Sequence, residues 1–225
     1  MTHRMPGILV AVLLSMTGVA QAADEKFEHA NIRLEQNATD NDAEIVFEAV
    51  GGDAGMAELK VTAPGGRVVL DFKAPDSKLG IRHVNLESPE PKNDGRVQAD
   101  FPAGEYVFTA TTVDGVKLHS KVALSHKLPE TTVFIHPRPE ATGLPVKGLQ
   151  IKWSPVKNLA ACVITIEQKK TDVELKAKLS GTTTSFVVPD GFLAPNAEYV
   201  VVISSVSHEG NMSSVETSFA TGPKK

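Results

Sequence analysis

The sequence predicts an all-β protein, two β-sandwiches in tandem behind an export signal. Three observations carry this expectation: period-two alternation of apolar and polar residues in one segment after another, turn chemistry between those segments, and a proline-rich break near the middle of the chain. Alternation with period two puts one face of a strand in the core and the other in water. Asp-Gly and Gly-Gly pairs supply the positive φ angles that tight hairpins need.

Taken in order, Ala30, Ile32 and Leu34 alternate with Asn31 and Arg33, and Leu59, Val61 and Ala63 with Lys60 and Thr62. Tyr106, Phe108 and Ala110 follow the same rule. Val116, Leu118, Val122 and Leu124 share a face opposite Lys117, His119 and Lys121. Later, Leu149, Ile151 and Trp153 alternate with Gln150 and Lys152, and Val173, Leu175, Ala177 and Leu179 with Glu174, Lys176 and Lys178. That last segment has helical composition, but its apolar spacing is two. Ala63-Pro64-Gly65-Gly66 and Val113-Asp114-Gly115-Val116 are the clearest hairpin turns. No amphipathic helix of useful length interrupts the series, which points to sandwiches.

The break falls near Leu128-Pro129-Glu130, and Pro137, Pro139 and Pro145 crowd the chain beyond it. Proline donates no ladder hydrogen bond, so this stretch forms no central strand. The expected domains are residues 24–127 and 128–221, held at a preferred angle by stiff, proline-rich chain.

The first 22 residues read as a cleavable signal peptide of bacterial type. His3 and Arg4 precede an apolar run from Ile8 to Leu14, and Ala20-Gln21-Ala22 offers a small-x-small cleavage site. The run is shorter than the roughly 20 residues that span a bilayer. The expected location is periplasmic or secreted, with no membrane insertion after cleavage.

Lys and Arg number 23 against 27 Asp and Glu, a net charge of −4. With no basic cluster, nucleic acid is not an expected partner, because its phosphates demand one. The lone cysteine, Cys162, can form no internal disulfide, so the hydrophobic core must hold the fold. We read it as a buried strand residue.

From Leu149 onward the chain resembles a fibronectin type III domain. Leu149 to Pro155 carries the core Trp153. Cys162 to Glu167 follows as a strand, and Leu193-Ala194-Pro195-Asn196-Ala197-Glu198-Tyr199 matches the family's spacing from Leu193 to a corner-closing Tyr199. The third strand lacks the family's usual aromatic. Phe101-Pro102-Ala103-Gly104-Glu105-Tyr106 similarly resembles bacterial immunoglobulin-like domains. These resemblances imply binding, spacing or adhesion rather than one activity.

Catalytic templates are missing. There is no GxSxG elbow, His208-Glu209 lacks a second His at helical spacing, and Gly51-Gly52-Asp53-Ala54-Gly55 has no phosphate-loop Lys. The expectation is a non-catalytic module without a cofactor, binding another protein of the cell envelope. Phe192, in the loop from Val187 to Pro195, is the candidate binding residue. The rival is a copper or zinc protein using His29 and His119 with Glu28, if the first and last strands of one sandwich bring them together. The segment from Ala103 to His119 is faintly similar to periplasmic copper-binding sandwiches, although the mature chain would not begin with His and methionines are few. Asp40-Asn41-Asp42-Ala43-Glu44 offers oxygen ligands at alternate positions for Ca²⁺, but a solvated turn accounts for it more simply. A carbohydrate-binding role ranks last, since aromatics make up only 5% of the chain. Two sequons, at Asn37 and Asn211, are short enough to arise by chance.

Overall fold

A computed structural model describes residues 24–74, 78, 80–92 and 94–223. The segment read as a signal peptide, residues 1–22, therefore lies outside the described residues. In the first half of the chain, β1 (His29–Asn37), β2 (Asp42–Val50), β3 (Met56–Thr62), β4 (Val68–Lys73), β5 (His83–Glu87), α1 (Asp94–Asp100), β6 (Gly104–Thr112) and β7 (Lys117–Leu124) follow one another. In the second half come β8 (Phe134–His136), β9 (Ala141–Leu144), β10 (Gln150–Trp153), β11 (Ala161–Gln168), β12 (Glu174–Ser180), β13 (Ser185–Val187), β14 (Glu198–Val206) and β15 (Met212–Thr221).

Two hydrophobic cores form. The first is closed between β1–β2–β5 and the sheet β4–β3–β6–β7. Ile32, Leu34, Ile45 and Phe47 face Leu59, Val61, Tyr106, Phe108 and Leu118 across it. The second is closed between β13–β10–β8 and β12–β11–β14–β15, where Ile151 and Trp153 meet Ile164, Ile166, Tyr199, Val201, Ile203 and Phe219. Both halves thus share one strand topology. Each also places a fully buried tyrosine on its next-to-last strand, where the hydroxyl pins the preceding loop. Tyr106 donates to the Pro102 carbonyl at 3.0 Å, and Tyr199 accepts from the Ala194 amide at 2.7 Å.

The hairpin turns stand where turn chemistry puts them. Gly115 adopts φ 90° between β6 and β7, where the Thr112 amide donates to the Val116 carbonyl at 2.9 Å. The segment Glu174–Ser180 is a strand, as its spacing predicts. Helix α1 was not foreseen. It is a short plug whose Val97 is buried against the first core, and too few residues repeat for a 3.6-residue period to show.

The joint between the halves is the other surprise. It is a strand pairing, made away from the prolines. β1 runs parallel to β15 with Glu35, Gln36 and Asn37 opposite Met212, Ser213 and Ser214, fusing one sheet of each sandwich into a single eight-stranded sheet. Where the ladder ends, the side chain of Asn211 extends it. Its Oδ1 accepts from the Leu34 amide at 2.9 Å, while its Nδ2 donates to the carbonyls of Ser125 (2.9 Å) and Lys127 (3.1 Å). Asn211 is only 1% exposed. A buried amide with all its bonds inside the protein is ordered by the joint and orders it in return.

Candidate functional site

The outer face of the sheet β13–β10–β8 departs most from an ordinary surface. Alternation sends Ile151, Trp153 and Phe186 inward. It sends Gln150, Lys152, Ser185 and Val187 outward, with Gln150 opposite Val187 and Lys152 opposite Ser185. The ladder shifts register between Lys152 and Trp153, so β8 bulges at Ile135. Val133 (67%), Ile135 (58%) and Val187 (57%) are the three most exposed large apolar side chains among the described residues. Single exposed apolar residues are normal, whereas three bordering one small sheet mark a surface that gains by being covered. Strand β8 is an edge, held by paired bonds in which the Ser154 amide donates to the Val133 carbonyl and the Val133 amide to Ser154 Oγ, each at 2.9 Å.

The residues singled out from sequence are dispersed. Phe192 is half-buried and packs against the second core, its ring 6.1 Å from that of Tyr199, so it serves the core edge rather than an open loop. His29 on β1 and His119 on β7 belong to different sheets. His29 meets Glu48 at 3.6 Å, and the other oxygen of Glu48 meets His83 at 3.2 Å. Glu28 stands beside Gly52, where a Cβ on that glycine would come 3.2 Å from its carboxylate. Arg33 completes the set around Glu48 at 3.4 Å. The group that forms is therefore His29, His83 and Arg33 around Glu48, and its cross-strand register was invisible before pairing was known. Among the described residues no group of three or more His, Cys, Asp or Glu side chains is arranged to hold a metal ion.

The acidic turn is a hairpin with Asn41 at φ 58°, and Asp42 is paired with Lys92 at 2.9 Å. Cys162 is buried, and that burial pushes its thiol pKa up. Trp153 fills the second core, where its indole N–H finds no oxygen acceptor and acts on the neighbouring Cys162 thiol, opposing in part the effect of burial on that thiol. Among the described residues no helix is long and apolar enough to cross a membrane.

No family model matches the chain, and no curated protein matches it. Solved structures do. A segment of two fibronectin type III domains from chicken tenascin is 12% identical, covering 88% of this chain and 100% of that one, with a TM-score of 0.33. The FN1–FN3 domains of chicken CNTN1 are 12% identical over 88% of this chain and 65% of that one, at 0.36. Fibronectin(III)-like modules of CbhA from Clostridium thermocellum are 10% identical over 91% and 92%, at 0.34. Of these three, the tenascin and CbhA structures are described as fibronectin type III or fibronectin(III)-like.

Proposed function

We propose that this chain is an exported, non-catalytic module that binds another protein of the cell envelope through the outer face of β13–β10–β8. The observation that carries the reading is the exposure of Val133, Ile135 and Val187 around that one small sheet. Lys152, exposed on the central strand between Ser185 and His136, sets a polar row between Val187 and the apolar residues of β8, so the face offers a partner charge as well as apolar contact. Two cores joined by a strand pairing suit a part that holds its partner at a fixed orientation.

The test is affinity capture from envelope extract, with the whole chain and an Ile135→Ser/Val187→Ser variant as baits. A specific partner retained by the first and lost by the second supports the reading. A partner retained equally by both removes this face from consideration. Export is tested separately by fractionation and N-terminal sequencing, with Ala23 expected as the first residue of the exported form.

A further inference from the structure

The fused sheet has two ends. Strand β12 closes it in the second half and β5 in the first, and no described strand pairs with the far side of either. We propose that these two edges are complementary, so that β12 of one copy pairs antiparallel with β5 of the next and the chain assembles head to tail. This uses a different surface from the β13–β10–β8 face and does not depend on that reading.

Charge comes first. Strand β12 turns Glu174, Lys176, Lys178 and Ser180 to the outer face, and neither lysine is ion-paired with a described residue. Strand β5 turns His83, Asn85 and Glu87 to its outer face, with Glu44 and Glu90 close by. The sheet thus runs from a lysine-bearing edge to a carboxylate-bearing one. Opposite charges directly across a strand pair attract, and like charges repel.

The inner faces match as well. Leu175, Ala177 and Leu179 are half-buried along the rim of the second core. On β5, Val84 is buried but Leu86 is 40% exposed. Placing Lys176 opposite Glu87 of the next copy brings Lys178 opposite Asn85. The same register sets Ala177 against Leu86 and Leu179 against Val84. Because facing residues of an antiparallel pair share a face, one register satisfies both the charged and the apolar sides. Surface lysines also serve to keep strand edges apart. That role predicts no dependence on Glu87, and the experiment separates the two.

The edges belong to different parts of the chain, so the contact is heterologous and each addition leaves a free edge of each kind. One five-residue strand pair buries less than a standard stable interface, so association should need high protein concentration.

Sedimentation equilibrium of the purified chain, from micromolar to about millimolar concentration at low salt, tests this against the interface-size expectation. We expect a weight-average mass that climbs past two copies without a plateau and falls back in 0.5 M salt, where the Debye length is only several ångströms (about 3 Å at 1 M). Lys176→Glu/Lys178→Glu and Glu87→Lys should each be monomeric alone. Mixed in equal amounts they should associate as the parent does, since every contact in an alternating chain is then between opposite charges. A parent monomeric throughout, a plateau at two copies, or variants that self-associate like the parent would each overturn the proposal. Circular dichroism of both variants, whose changes are all at exposed positions, checks that the fold is kept.

Discussion

Replacing Glu44 by Gln should stabilise the protein at high pH and do almost nothing at low pH. Glu44 sits on the outer face of β2, directly opposite Glu35 of β1, with Glu87 on β5 and Glu90 just beyond. Burial first, and then the fields of Glu87, Glu35 and Glu90, raise its pKa from 4.5 to about 7, against a lowering effect from Arg33. The folded chain therefore keeps a proton that the unfolded chain releases between those two values. Stability contributed at this site is present below pH 4.5, falls as pH rises through the window, and is gone above about 7. The full gap corresponds to roughly 3 kcal/mol at 1.36 kcal/mol per unit. The carboxyl is only half-buried, and solvent screening reduces this to about 1 kcal/mol. Urea unfolding followed by far-ultraviolet circular dichroism at pH 4.5 and pH 8 measures it. The Gln variant should gain about 1 kcal/mol at pH 8 over the parent and nothing at the lower pH. Added salt should shrink the gain only in part, because burial is the larger cause and is not screened. An equal shift at both pH values, or a loss at pH 8, would refute the reasoning.

Asn211→Ala leaves the Leu34 amide and the Ser125 and Lys127 carbonyls without their buried partner. It should cost about 2 kcal/mol in denaturant unfolding and separate one transition into two, as the halves come apart. Tyr106→Phe removes the bond to the Pro102 carbonyl and should cost about 1–2 kcal/mol, with a lower thermal midpoint as its readout. In Gly181→Ala the new Cβ would lie 2.2 Å from the Leu159 carbonyl oxygen, which belongs to backbone and cannot swing away. A loss of about 1–3 kcal/mol is expected by thermal unfolding, and an unchanged midpoint would show that the loop shifts freely.

Much of the fold was legible because strands announce themselves locally. The alternation through Leu149, Ile151 and Trp153, the two-residue spacing of Leu175, Ala177 and Leu179, and the Asp114-Gly115 turn each act over a few residues, and each appears in the structure as read. The corner residues Leu193 and Tyr199 were legible for the same reason, since the loop and the tyrosine that pins it are neighbours in sequence. Helix α1 was missed because seven residues leave one buried position, Val97, and one position has no period.

What the sequence by itself determined is the strand-forming pattern, two sets of core residues and the absence of a disulfide, all of which depend on residue type and short spacing. Only the tertiary structure decided which strands are neighbours. The parallel pairing of β1 with β15 joins residues far apart in the chain, and nothing in Glu35-Gln36-Asn37 names Met212-Ser213-Ser214 as its partner. The same pairing buried Asn211 as a clasp and left β12 and β5 as the open ends of one sheet, while the pairing of β2 with β1 and β5 set Glu48, rather than His119, beside His29 and His83. Backbone hydrogen bonds are the same for every residue pair, so the choice of neighbour is made by the packing of whole faces, which no short stretch of sequence contains.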